Sequence, residues 1–94
     1  MFKILLAEDD DFLRTTTKTL LELQGYHVFA YADGKLALDA FPFVSPDMII
    51  SDINMPELDG YGVLHLLRKN AATEHIPFIF LTAKKPFNSL LTLK

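Results

Sequence analysis

Hydrophobic residues gather along this chain in four short runs, separated by stretches with helical spacing. Phe2–Ala7, Tyr26–Ala30, Met48-Ile49-Ile50 and Ile76–Leu81 are the runs. Apolar segments of this length predict strands buried on both faces, and such strands imply a parallel sheet covered by helices. A helix is expected from Asp10 or Asp11, where an acid can cap free backbone N–H groups, to Gly25, a residue suited to the position after a helix end. Leu13, Thr17 and Leu20 share one face of it, widened by Leu21 and Leu23. Asp33 can cap a short second helix, Leu36–Phe41, stopped by Pro42 because a proline ring removes a helical hydrogen bond. A third helix runs from Asp59 or Gly60 to about Asn70, with Tyr61, Leu64 and Leu67 on its apolar face. The order βαβαβαβ gives an α/β fold, a right-handed doubly wound parallel sheet.

Where the strands end matters more than where they begin. In an open α/β sheet, ligands bind outside the carboxyl ends of the strands, where side chains leave the core. The first run opens onto Glu8-Asp9-Asp10-Asp11, the third onto Asp52, and the fourth onto Thr82, with Lys84 and Lys85 just beyond. One rim therefore collects carboxylates, a hydroxyl and two ammonium groups.

Composition narrows the class without naming it. The chain has 94 residues, half of them hydrophobic, enough for one domain burying roughly 60–65% of its unfolded surface. It contains no cysteine, so disulfides and thiolate metal sites are excluded. No stretch approaches the ~20 apolar residues of a membrane span, and no signal-peptide pattern precedes the first acids; a cytoplasmic protein is the expectation. Net charge is −3, with nine scattered Lys and Arg, which argues against direct nucleic-acid binding by this segment.

Carboxylates from two strands suit a hard cation such as Mg²⁺, which takes one or two carboxylates together with water and phosphate oxygens. Glu8, Asp9 and Asp52 fit that description, and crowding like charge argues for a neutralising ion. An aspartate can also attack phosphorus to form an aspartyl phosphate, with Thr82 donating to the transferred group and Lys84 or Lys85 pairing with it. Each feature has a plainer reading alone: Asp9 to Asp11 as cap residues, Asp52 as a turn residue, the lysines as solvated charges. His27, His65 and His75 share no metal-ligand spacing.

The stretches Lys3–Asp10 (KILLAEDD), Ser51–Gly60 (SDINMPELDG), Leu81-Thr82-Ala83 and Lys85-Pro86-Phe87 resemble the receiver domain of bacterial two-component response regulators. The resemblance covers nearly the whole chain and implies a flavodoxin-like receiver fold with strand order 2-1-3-4 in the part present. It implies that Asp52 is the phosphoacceptor and that Asp9 ligates Mg²⁺ directly and Glu8 through water. Asn54 offers its backbone carbonyl, Thr82 is the hydroxyl that moves toward the phosphoryl group, and Lys85 is the lysine of a Lys-Pro pair whose bond is often cis. It implies a histidine kinase or phosphotransfer protein as partner, and a signalling switch rather than a metabolic enzyme, catalysing only its own phosphorylation and dephosphorylation.

The departure from that family is local. Receivers place a fourth helix and fifth strand, roughly 20 residues, between the Thr-Ala and Lys-Pro motifs, whereas Thr82 and Lys85 here are three positions apart. The expectation is a single receiver domain over 1–94, incomplete in its C-terminal part, with the fifth strand missing and Phe87–Lys94 starting the final helix. Ile76–Leu81 would then be an apolar edge open to homodimerisation. An alternative of another class is a non-switching interaction module with a receiver-like fold. Asp52-Ile53-Asn54 only loosely echoes the haloacid dehalogenase nucleophile motif, which wants a second Asp at position 54.

Overall fold

In the computed structural model, described for residues 1–82 and 90–93, the elements alternate as expected through β4: β1 (Lys3–Ala7), α1 (Asp11–Leu23), β2 (His27–Tyr31), α2 (Gly34–Val44), β3 (Met48–Asp52), α3 (Gly60–Arg68) and β4 (Phe78–Thr82), with a further strand β5 (Leu90–Leu93). The sheet order is 2-1-3-4-5, with β2, β1, β3 and β4 parallel and β5 antiparallel to β4.

Local chemistry sets the helix boundaries. Asp10, Asp33 and Asp59 are the three N-caps, accepting from the amides of Leu13, Leu36 and Gly62 at 2.8–2.9 Å. Gly25, after the cap residue Gln24, turns the chain out of α1 at φ +95°, a conformation that penalises any side chain. Along the sheet, alternate residues face opposite layers. Leu5, Ala7, Ile49, Phe78 and Phe80 pack with Ala37 and Val44 of α2 and Val63 and Leu67 of α3. Ile4, Leu6, Val28 and Ile50 face the other way, with Leu21 of α1 packed against them.

Four expectations are corrected. Pro42 does not stop α2, which continues to Val44; only its own missing N–H is lost one turn from the end, burial of Val44 anchors that turn, and Ser45 closes it in the left-handed region at φ 49°. The buried face of α3 is Gly60, Val63 and Leu67, an i, i+3, i+7 stripe that leaves Tyr61 54% exposed with its ring on Phe80 at 4.9 Å. Leu90–Leu93 form a strand rather than the start of a helix. The fifth strand is thus present, though differently placed in the sequence, and the open edge expected at Ile76–Leu81 is paired, with Ile79 opposite Leu93 and Thr82 opposite Leu90. Seven residues separate Thr82 from Leu90, too few for the dozen or more that a parallel crossover needs; an antiparallel return is the pairing such a link allows. It satisfies backbone groups that β4 would otherwise leave unpaired.

Candidate functional site

Register places the acids. Ala7 pairs with Ser51 across the parallel β1 and β3, so the next residues, Glu8 and Asp52, emerge side by side at the carboxyl rim. One ligand oxygen from each of Glu8, Asp9 and Asp52 lies within 4.8 Å of the others. Asp52 is only 4% exposed and Glu8 only 1%, while Asp9 is exposed.

The surrounding backbone orients each group. The Ile53 amide donates to Asp52 Oδ1 at 2.8 Å, and the Ser51 hydroxyl donates to the Asp52 carbonyl at 2.8 Å. The Asp10 amide donates to Glu8 Oε2 at 3.1 Å. Glu8 Oε1 is buried without a donor, because its neighbours are the carboxylates of Asp9 and Asp52, which can only accept when ionised. Burial, then the charge of Asp52, push the Glu8 carboxyl up to about 7, against the lowering effect of the Asp10 amide.

An orphaned, buried carboxylate oxygen amid two further carboxylates fits a divalent cation, which would complete the oxygen set and offset the like charge. Asn54 lies exposed in the loop after β3. Thr82 ends β4 one step beyond Leu81, the residue paired with Asp52, which brings its backbone to the same rim. Lys85, with Lys84 and the Lys85–Pro86 bond, lies outside the described residues, as does the junction at Ala83–Lys85.

Two features escaped the sequence. Arg14 donates to the Glu8 carbonyl at 2.9 Å and to Asp11 Oδ1 at 2.6 Å, tying α1 to the acidic turn; its i+3 spacing from Asp11 was the available signal. Gly60 sits where a Cβ would strike the Asp52 carbonyl oxygen and lie 3.0 Å from Phe80 Cε1, so α3 starts against the backbone of Asp52 itself.

The model of the response regulator receiver domain matches residues 4–92. The chain belongs to the response regulator receiver family. It is 43% identical over 81 residues to a probable transcriptional regulator, ycf27, of Cyanophora paradoxa, covering 86% of this chain and 33% of that protein. This receiver therefore spans about a third of the length of the curated relatives it matches. Among solved structures it is similar to the N-terminal domain of a response regulator receiver protein from Methanoculleus marisnigri, with a TM-score of 0.83, 32% identity and coverage of 89% of this chain and 68% of that one. It is similar too to the receiver domain of a sensor histidine kinase from Pseudomonas aeruginosa, solved with a magnesium ion coordinated in its active site cleft. There the TM-score is 0.82 with 34% identity, covering 88% and 68%. Among the described residues no helix is long and apolar enough to cross a membrane.

Proposed function

We propose that this receiver accepts a phosphoryl group on Asp52 from a histidine kinase or phosphotransfer protein, with Mg²⁺, and serves as a signalling switch. The observation that carries the reading is the meeting of Glu8, Asp9 and Asp52 at the carboxyl rim, with the two inner acids buried. Asp9, Asp52 and the Asn54 carbonyl would hold the cation, with Glu8 behind them. When bound, Mg²⁺ neutralises the carboxylates and the charge on the phosphoryl oxygens.

The Ile53 amide fixes one oxygen of Asp52. A carboxylate oxygen attacks phosphorus, an O–P bond forms as the N–P bond to the donor histidine breaks, and the imidazole leaves with that electron pair and takes up a proton. Attack of water on the phosphorus later returns inorganic phosphate and the free carboxylate. Thr82 is assigned the hydroxyl that meets the new group and Lys85 the ammonium that pairs with it. The added charge of about −1.5 to −2 is what would shift the loops. The same reading takes 1–94 as one receiver unit, incomplete in its C-terminal part, working in the cytoplasm. Any DNA binding suggested by the relatives' names is assigned outside this acidic segment.

Incubation with a small phosphodonor and Mg²⁺ followed by intact mass tests it. The expected result is a gain of one phosphoryl group, lost in Asp52→Asn; equal labelling of that variant would overturn the assignment. The antiparallel β5, seven residues beyond β4, favours a second reading, a non-switching interaction module, because seven residues are too few for the helical crossover and parallel fifth strand through which a receiver signals. An amide NMR spectrum unchanged beyond the acidic rim after phosphorylation would select it.

A further inference from the structure

A helix approaches another backbone most closely where it lacks a side chain, and α2 begins with such a residue. Gly34 is buried, and a Cβ there would strike the carbonyl oxygen of Leu58 and lie 2.8 Å from Val63 Cγ2. The obstacle at Leu58 is backbone, so a methyl group at position 34 could be admitted only by moving the loop that joins β3 to α3 or by lifting α2 off it; either way the contact between them is lost. That loop is tightly wound. The Leu58 amide donates to the Pro56 carbonyl at 2.7 Å, closing a γ-turn about Glu57, whose φ is 68°. A non-glycine residue keeps such a conformation only when its surroundings impose it. The Lys35 ammonium, paired chiefly with Asp39, also feels the Glu57 carboxylate.

From Leu58 the chain leads back to the nucleophile in short steps. Asp59 caps α3, the Gly60 amide donates to the Ile53 carbonyl at 2.8 Å, and the Ile53 amide holds Asp52 Oδ1. Gly60 also abuts the Asp52 carbonyl. We propose that Gly34 is a positioning residue for the Asp52 carboxylate: by letting α2 brace Leu58, it fixes the Ile53 peptide that sets the orientation of Asp52 as a cation ligand and phosphoacceptor. The inference rests on the reading of Asp52 given above. Arg14 reaches the rim from α1, on the opposite face of the sheet, and takes no part in this chain of contacts.

The test pairs Gly34→Ala with Gly25→Ala. Gly25 lies at φ +95° with open space around it, so its substitution strains the backbone and lowers stability without approaching the rim. Isothermal titration with Mg²⁺ should show affinity weakened roughly tenfold in Gly34→Ala, the scale of losing support behind a ligand, and unchanged in Gly25→Ala. Labelling by a small phosphodonor should slow in the first variant alone. Because Gly34→Ala could fail to fold, a second measurement uses the unaltered protein: the Gly34 amide resonance should shift with Mg²⁺ along the same binding curve as the Asp52 amide, while that of Gly25 stays. Equal Mg²⁺ affinity in Gly34→Ala and wild type, or an Asp52 shift without one at Gly34, would overturn the proposal and leave the phosphoacceptor reading standing. No Mg²⁺ response at Asp52 in the unaltered protein would overturn both.

Discussion

Glu8 and Asp52 stand side by side, one residue past the last paired positions of neighbouring parallel strands, and both are buried. Two adjacent acids in a low-dielectric rim cannot both ionise cheaply, so one of them holds its proton to unusually high pH. That one is Glu8, raised from 4.5 to about 7 chiefly by burial.

The first prediction follows from the sign of that shift. Between about pH 4.5 and 7 the folded state binds more protons than the unfolded chain, so stability falls as pH rises through this window and the loss is complete above it. In EDTA, thermal melts should show the wild type losing several degrees from pH 5 to pH 8 relative to Glu8→Gln, whose neutral amide has no such penalty. Parallel pH profiles for the two proteins would show that Glu8 is not the group responsible.

A cation should reverse the penalty. At ten times its dissociation constant, Mg²⁺ adds about 1.4 kcal/mol by mass action, which for a domain of this size is a rise of roughly 5–10 °C in Tm. Asp52→Asn should abolish most of that rise. Melts of both proteins across a Mg²⁺ series check it, and an equal rise in the variant would remove Asp52 from the ligand set.

Gly60→Ala should be among the costly single substitutions, since its methyl group would meet the Asp52 carbonyl, the Ile53 Cα and the Phe80 ring together. Overpacking of this kind costs about 1–3 kcal/mol or more. Urea denaturation measures it; a loss under about 0.5 kcal/mol, the scale of an ordinary surface change, would mean that α3 does not sit against Asp52 as described.

Pairing of β5 with β4 removes the edge through which homodimerisation was expected. Combining Leu91→Pro with Thr92→Pro, opposite Leu81 and Phe80, takes a donor from that ladder whichever of the two amides faces β4, and should re-expose β4 for association with other chains. Sedimentation velocity should find the wild type monomeric and the variant in larger species; a monomeric variant at high concentration would show that the β4 edge is closed by something other than this ladder.

Much of the architecture was legible because it is written in local chemistry. Asp33, Asp59 and Gly25 mark helix ends through their own side chains or lack of one, and they stand where the pattern put them. The four apolar runs became β1 to β4 within one or two residues, since a central strand buried on both faces, such as β1 or β3, needs a near-continuous apolar run, while edge strand β2 keeps only Val28 buried. The acids of the rim were legible for the same reason: they are the residues at which those runs stop.

What the tertiary structure alone decided concerns contacts between distant positions. No local signal says that Glu8 and Asp52 are buried, because that depends on β1 pairing with β3 and on the start of α3 against the Asp52 backbone. Pro42 reads as a helix stop until Val44 is seen buried in the core. Leu90–Leu93 could begin a helix by composition, yet the unpaired groups of β4 offer a backbone partner that a short return can reach, and the strand forms there. Gly34 is one more helix-start residue in the sequence, and only the packing of α2 on Leu58 shows why a side chain has no room there. Propensity and periodicity act over a few residues, whereas burial, like-charge repulsion and backbone contact are set by neighbours tens of residues away.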